Sequence, residues 1–134
     1  MSTSRKKPAA SLVWFEIPAD NLDRAKKFYG KLFGWNIAPF PGLPDPAAQN
    51  YLHIDTGGPD ASPDGGLMKR AHPRQPITNY VSVPSVTKFM ARVKKPGGKV
   101  CVPRTPVARM GYFAVCEDTE GNIFALWERN ERAK

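Results

Sequence analysis

The chain has no long hydrophobic run and only two cysteines and two histidines among its 134 residues. A membrane-spanning helix needs about 20 apolar residues, so no membrane span is expected. The N-terminus lacks the apolar segment of a secretory signal, and we expect a cytoplasmic protein. Cys101 and Cys116 are expected to be free thiols, although a turn between them also allows a cross-strand disulfide. His53 and His72 have no second histidine at helical or strand spacing, which disfavours a histidine-based metal site.

The net charge of +8 does not by itself indicate a nucleic-acid-binding protein. Much of this charge lies near the chain ends, on Arg5, Lys6 and Lys7 and within residues 129–134. The remaining basic residues follow the solvated faces of two amphipathic helices. No helix-turn-helix, zinc-finger spacing or RNA-binding aromatic motif is present. We therefore do not expect nucleic acid as a partner.

The sequence contains an internal repeat. A strand-then-helix pattern over residues 14–35 recurs over residues 78–99 with a constant shift of 64. A shorter similarity relates residues 64–69 to residues 120–125 with a shift of 56. A chain of 14.8 kDa is too small for two independent cores, so the two copies must form one fold together.

The repeat predicts two modules with short extensions. The predicted boundaries are a flexible basic tail over 1–10, a first module over 11–71, a connector over 72–76, a second module over 77–128 and a charged tail over 129–134.

Each module is expected to contain one strand, one helix and three further strands. In the first module we predict strands over 12–17, 35–40, 51–56 and 66–71, and a loop over 39–48. In the second we predict strands over 77–83, 100–106, 112–117 and 122–128. Pro18 is expected to end the first strand, Asp20 or Asn21 to cap the first helix, and Gly34 to end it. The second helix is expected to begin at Ser85 or Val86.

This pattern predicts an α+β fold in which paired βαβββ modules form a curved mixed sheet, a half-barrel with the helices outside. Strand alternation sorts the side chains between the two faces. The residues expected beneath the helices are Phe15, Ile17, Val81, Val83, Phe124 and Leu126. Those expected on the opposite face are Trp14, Glu16, Thr78, Tyr80, Ser82, Ala125 and Trp127. The second set mixes aromatic, hydroxyl and acidic groups, as a ligand site does.

The chain resembles the vicinal oxygen chelate superfamily, which includes glyoxalase I, bleomycin-resistance proteins and extradiol dioxygenases. Three segments carry the resemblance: Ala19–Ala25 with its continuation to Trp35, the glycine pair Gly97-Gly98, and residues 118–122. The resemblance implies the paired βαβββ fold, a homodimer, and a divalent metal held by four side chains, two from each module.

The positions that match the family's metal ligands carry Trp14, Lys69, Thr78 and Ala125. An indole N–H has no lone pair to donate, alanine offers no ligand atom, and a lysine ammonium repels a cation. We therefore predict no metal ligands and no cofactor, with a displaced divalent-metal site as the alternative.

Glu16 is the candidate catalytic residue, because a carboxylate among aromatic rings is costly to bury unless it is paired. It is expected to act as a general base or to bind a cationic ligand. The alternative is a structural hydrogen bond or ion pair, with Arg104 or Lys69 as partner. The predicted ligand-binding set is Trp14, Glu16, Thr78, Tyr80, Arg104, Tyr112, Phe113 and Trp127.

The leading functional hypothesis is metal-independent binding or sequestration of a small molecule in the sheet cavity, where aromatic walls suit a planar ligand. The alternative is a metal-dependent lyase, isomerase or dioxygenase acting on a small carbonyl or aromatic substrate.

Overall fold

The computed structural model describes residues 10–41, 47–59 and 62–134. It divides into two compact units. The first unit is Val13–Asn79, and the second is Tyr80–Lys134 together with residues 10–12; each strand is described below with the unit that contains most of it. Within the described ranges, no helix is long and apolar enough to cross a membrane.

The first unit contains a four-stranded sheet with one long helix. Its elements are β1 (Ser11–Ala19), α1 (Leu22–Phe33), β2 (Asn36–Pro39), α2 (Ala47–Asn50), β3 (Tyr51–Asp55) and β4 (Asp64–Lys69). The strand order is β2-β3-β4-β1. The β2–β3 and β3–β4 pairs are antiparallel, whereas β1 pairs with β4 in parallel. A parallel pair needs a crossover, and the chain between β1 and β4 includes α1.

The second unit repeats this arrangement. Its elements are β5 (Thr78–Ser82), α3 (Val86–Lys94), β6 (Lys99–Val107), β7 (Gly111–Glu117) and β8 (Ile123–Arg129). The strand order is β5-β8-β7-β6, and β6–β7 and β7–β8 are antiparallel. Each copy has one long helix and four strands, with the additional short α2 in the first copy, and this arrangement confirms the predicted βαβββ modules.

Helix ends form where the sequence predicts them. The Asn21 side chain accepts a hydrogen bond from the Arg24 amide at 3.0 Å, and Ser85 accepts one from the Lys88 amide at 3.2 Å. Each cap satisfies an amide that has no partner inside its helix. Gly34 ends α1 with a φ of 73° and Gly97 follows α3 with a φ of 101°, a backbone conformation that favours glycine.

The shift of 64 is not constant. It relates the two N-caps, but the two positive-φ glycines after the helices are only 63 residues apart. The second copy is one residue shorter between its helix N-cap and this glycine. Trp35 therefore corresponds to Gly98 and not to Lys99.

Each unit buries the sheet face that is covered by its long helix. The first core comprises Ile17, Ala19, Ile37, Leu52, Ile54 and Leu67, with Phe15, Tyr29 and Trp35 packed against it. The second comprises Val83, Val86, Ala114, Cys116 and Leu126, with Val81, Phe89 and Phe124 packed against it. All six side chains predicted to lie beneath the helices are in these clusters.

Several predicted boundaries were wrong. β1 continues through Pro18, because the Arg70 amide still bonds to the Ala19 carbonyl and the ring of proline allows an extended backbone. β4 begins at Asp64 and not at residue 66. The predicted loop over 39–48 includes the start of α2, and residues 42–46 lie outside the described part of the chain.

The two ends of the chain, residues 1–10 and 129–134, were predicted to be tails. Of residues 1–10, only Ala10 is described, and it packs against the second core. The C-terminal residues are held in place, because the Ala133 carbonyl accepts a hydrogen bond from the Arg109 amide at 2.9 Å. Ala133 is 3% exposed.

Both cysteines are free thiols, but their environments differ. Cys101 is exposed and lies at an irregularity of β6, between Val100 and Val102. Cys116 is buried in the second core. Burial, with a smaller contribution from Cys101, raises the pKa of Cys116 from the ordinary 9.0 to about 11.

We expect iodoacetamide at pH 8 to alkylate Cys101 and leave Cys116 unmodified on the same time scale. Raising the pKa from 9.0 to about 11 lowers the thiolate fraction of Cys116 roughly 100-fold, and burial slows the reaction further. Mass spectrometry of peptides from native and denatured protein measures both rates. Equal labelling of the two thiols in native protein would contradict this prediction.

Replacing Leu67 by alanine should destabilise the protein by about 3 kcal/mol, because it opens a cavity in a core position. Leu67 has no exposed surface, whereas Leu32 on α1 is 59% exposed. Leu32→Ala is the matched control and should cost less than about 0.5 kcal/mol. Denaturant unfolding measures both values, and similar costs would mean that the core is not at Leu67.

Candidate functional site

One face of the first unit's sheet carries a group of aromatic and ionisable side chains. This surface, the Trp14 face, is defined by Trp14, Glu16, Phe40, Tyr51, His53 and Asp64. It arises from strand alternation, because the intervening Leu52, Ile54 and Leu67 point into the core on the other side. The parallel register sets Trp14 beside Asp64 and Glu16 beside Gly66.

A chain of hydrogen bonds crosses the Trp14 face. The indole Nε1 of Trp14 donates to the Tyr51 hydroxyl at 2.9 Å, and this hydroxyl donates to Oε2 of Glu16 at 2.7 Å. The bond to a carboxylate is short, as charge-assisted hydrogen bonds are. The two hydrogen bonds together link all three side chains, which are only partly buried.

Gly66 makes this chain of hydrogen bonds sterically feasible. A Cβ at Gly66 would overlap the ring and the hydroxyl of Tyr51. Glycine at this position therefore lets Tyr51 lie flat across β4 and reach Glu16 on β1. This is a close approach that any larger residue would block.

Aromatic rings form the walls of the face. Trp14 and His53 are stacked, with centroids 5.8 Å apart and planes inclined by 13°. Phe40 meets Trp14, Tyr51 and His53 edge-on at 5.9, 5.8 and 5.7 Å. Edge-to-face contacts of this kind favour a fixed arrangement of rings.

Asp64 is the second carboxylate of the face. Its Oδ2 lies 3.3 Å from Nε2 of His53, and its Oδ1 accepts from the Thr56 amide at 3.2 Å. The side chains of His53 and Asp64 are 31% and 35% exposed, so solvent or a ligand can reach them. The face can therefore accept hydrogen bonds or stabilise positive charge beside flat apolar surfaces.

The four positions matched to the family's metal ligands do not fit a metal. Trp14 uses its N–H to bond Tyr51, Ala125 has no donor atom, and the Thr78 hydroxyl is 3.5 Å from the Pro76 carbonyl. Among the residues that the structure describes, no group of three or more His, Cys, Asp or Glu side chains could hold a metal ion.

The match to Lys69 was wrong. Leu67 and Leu126 are the buried residues of β4 and β8 that face their helices, so Gly66 corresponds to Ala125 with a shift of 59 and not 56. Lys69 is exposed and lies three residues after Gly66. Strand alternation therefore places it on the opposite face, which is the helix side. Glycine provides no ligand atom, and the Tyr51 ring occupies the space above it.

The remaining predicted site residues are not members of the Trp14 face. Thr78 is buried at the start of β5. In the second unit, Phe113 and Trp127 pair across β7 and β8, and Tyr80 lies on β5. Tyr112 alternates with Phe113 and packs against the second core, with the Arg104 guanidinium 3.8 Å from its ring centroid. Tyr112 and Phe113 therefore belong to opposite faces of their sheet.

Sequence reasoning found Trp14 and Glu16 but left four members of the face out of the site. Tyr51 and His53 were detectable, because alternation along β3 puts both opposite the core residues Leu52 and Ile54. Phe40 was detectable in the same way, because it ends the predicted strand over 35–40 on the face opposite Ile37. Asp64 was not, since it lies before the predicted start of its strand at residue 66. In the second unit, the Glu128 side chain accepts from the Val86 amide at 2.9 Å and supports the start of α3, which was also missed.

Comparison with known proteins gives three informative similarities. A family model for the N-terminal part of bleomycin resistance protein-like proteins matches residues 11–45. A glyoxylase-like domain-containing protein of Didymella fabae is 33% identical over 122 residues, covering 85% of this chain and 90% of that protein. CFP32 of Mycobacterium bovis is 27% identical over 129 residues, which cover 87% of this chain but only 45% of that protein.

A solved structure adds a fourth similarity. A glyoxalase/bleomycin resistance protein/dioxygenase superfamily member from Vibrio splendidus matches with a TM-score of 0.61 and 10% identity, over 90% of this chain and 99% of that one. This similarity confirms the predicted fold class.

Gly66→Ala should destabilise the protein by about 1–3 kcal/mol, because the new methyl group displaces Tyr51. In a Tyr51→Ala background the same change should cost at least about 1 kcal/mol less, since the overlapping ring is gone. Gly30→Ala on α1 is the control, because a Cβ there meets only an ordinary contact at 3.5 Å. Equal costs of Gly66→Ala in both backgrounds, measured by denaturant unfolding, would show that Tyr51 does not lie over Gly66.

Proposed function

The chain belongs to the glyoxalase/bleomycin-resistance family of vicinal oxygen chelate proteins, and from this premise we propose that it binds a small planar molecule without a metal. The proposed site is the Trp14 face. The observation that supports it best is the hydrogen-bond chain from Trp14 through Tyr51 to Glu16, which holds a carboxylate beside flat aromatic surfaces.

The shape of the face favours a planar ligand. Trp14 and His53 present stacked rings, and Phe40 meets both of them edge-on. A planar molecule can stack on such rings with little loss of conformational entropy, because these side chains already have partners that fix them. All three rings are partly accessible.

The charge of the face favours a ligand with a positive charge or a strong hydrogen-bond donor. Glu16 and Asp64 are both carboxylates, and one carboxylate can accept several hydrogen bonds at once. Aromatic faces also attract cations. A planar cation would satisfy both features, whereas a planar anion would be repelled by both carboxylates.

The donor chemistry of the chain supports metal independence. The positions that hold the metal in metal-dependent relatives carry Trp14, Gly66, Thr78 and Ala125 here. Three of these four side chains offer no lone pair to a cation. We therefore expect the ligand to be bound through the rings and carboxylates rather than through coordination.

An enzymatic role is the second candidate. The 2.7 Å hydrogen bond between Tyr51 and Glu16 favours it, because a carboxylate paired with a phenol can accept or return a proton during a lyase or isomerase reaction.

The proposal also includes the homodimer implied by the resemblance and the cytoplasmic location expected from the sequence. The mass of the purified protein in solution tests the homodimer.

The planar cation 1-methylquinolinium should bind the purified protein, and isothermal titration calorimetry measures its affinity. Trp14→Ala should remove a stacking wall, and Glu16→Gln should remove a charge, so we expect each to weaken binding by about tenfold. Glu120→Gln, in an exposed turn, is the matched control and should leave the affinity unchanged. Naphthalene, which is planar but neutral, should bind more weakly than the cation at this site.

Treatment with EDTA should leave 1-methylquinolinium binding unchanged. Binding that is lost after EDTA and restored by Mn²⁺ or Zn²⁺ would contradict metal independence. An unchanged affinity in Glu16→Gln would remove that carboxylate from the site.

A further inference from the structure

The second unit contains an apolar crevice between α3 and its sheet, on the side away from Phe113 and Trp127. Its volume is about 380 Å³. Its walls are Val81, Val83, Phe89, Val93, Phe124 and Leu126, and Gly98 lies at its floor near the end of α3. Phe89, Val93 and Phe124 are only partly buried, so apolar surface is exposed to solvent within the crevice.

In the first unit an indole ring stands at the position that corresponds to Gly98, which lines the crevice of the second. Gly34 and Gly97 are the matching positive-φ glycines, so the residues that follow them, Trp35 and Gly98, correspond. Ile37 and Val100, two residues further on, both pack against their own cores. The alignment is therefore fixed on both sides of this position.

Trp35 is the centre of an aromatic cluster in the first unit. Its ring stacks on Tyr29 at 5.6 Å, lies 4.9 Å from Phe33 and lies 6.2 Å from Phe15. In the second unit Val93 is the counterpart of Tyr29, as the N-cap alignment of the helices shows. The second copy has thus lost both the indole and the ring on which it stacks.

The second unit cannot fill the crevice from position 98. A Cβ at Gly98 would come within 2.7 Å of the Val93 side chain and 2.8 Å of the Val93 carbonyl. The backbone has moved close to α3 at this point, so no side chain fits. Any filling of the crevice must come from another part of the chain or from a ligand.

The ionisable residues that line the crevice are Arg92, Glu117 and Asp118, and its other walls are mostly apolar. Arg92 lies over the Phe89 ring at 4.9 Å from the centroid. Asp118 accepts hydrogen bonds from the Asn122 and Glu120 amides, and these bonds lower its pKa. The Asp118 carboxylate therefore already has partners within its own turn.

We propose that the crevice beneath α3 is a second binding site, and that it takes a neutral aromatic molecule of about the size of indole. The ring would occupy the place that Trp35 occupies in the first unit. Burying the exposed apolar walls supplies the free energy of binding. This inference does not depend on the proposed function of the Trp14 face.

Indole itself is the probe. Titration of ¹⁵N-labelled full-length protein with indole should give saturable chemical-shift changes in α3, β5 and β8, around Phe89, Val81 and Leu126. Val93→Tyr restores the ring found at Tyr29, and it should weaken indole binding at least about tenfold because it occupies the space. Lys94→Tyr, at the exposed next position of α3, is the matched control and should leave the affinity unchanged.

Two further measurements keep the result decisive if Val93→Tyr alters the fold. Saturating 1-methylquinolinium should leave the indole affinity unchanged, because the two sites lie in different units. Trp35→Ala should create a second saturable indole site in the first unit, with shift changes around Tyr29 and Phe33.

Three outcomes would overturn the proposal. Shift changes confined to the Trp14 face would place indole at the other site. The absence of saturable binding up to the solubility of indole would show that the crevice is closed in solution. Unchanged indole affinity in folded Val93→Tyr would place the ligand elsewhere, whatever the result with 1-methylquinolinium.

Discussion

The parallel pairing of β1 with β4 is the constraint on which the first unit depends. Its register places Glu16 beside Gly66 and Trp14 beside Asp64. A slip of one residue would exchange the two faces and bring Ile17 and Leu67 out of the core. The buried leucine and isoleucine therefore fix the register, and the register in turn fixes which polar groups meet on the other side. Core packing and site geometry are two results of the same pairing.

The sequence predicts the architecture well because the signals are local and repeated. The helix caps at Asn21 and Ser85 and the stop at Gly34 are properties of a few adjacent residues, and the structure confirms them. Alternation along the strands identifies the side chains beneath each helix. These inferences need no knowledge of how distant strands pair.

The errors arise where distant strands must be aligned. The similarity between residues 64–69 and residues 120–125 suggested a shift of 56, but the buried leucines of β4 and β8 require 59. A three-residue error along a strand also exchanges the faces, so Lys69 was matched in place of Gly66. The site was incomplete for the same reason, because Tyr51 reaches Glu16 across β4 and only the pairing of three strands shows this contact.

The two copies have the same backbone plan but are filled differently. In the first, Trp35 closes the space beneath α1, and Tyr51 covers the glycine of β4. In the second, Gly98 brings the backbone against α3, and the space beneath that helix remains open. A glycine thus has opposite consequences in the two units. At Gly66 it admits a side chain from a neighbouring strand, whereas at Gly98 it removes the side chain that would have filled the core.

The same difference in filling bears on the positions where the family resemblance implies metal ligands. A structural metal ion holds strands together through several ligands at once. Here the ligand position of β4 is Gly66, which has no ligand atom. The Tyr51 hydroxyl links the indole of Trp14 to the carboxylate of Glu16, two residues further along β1. Each of these two hydrogen bonds has a net value of about 1 kcal/mol, which is far weaker than a structural metal site. The packed core behind the face therefore contributes more to its position than these two hydrogen bonds do.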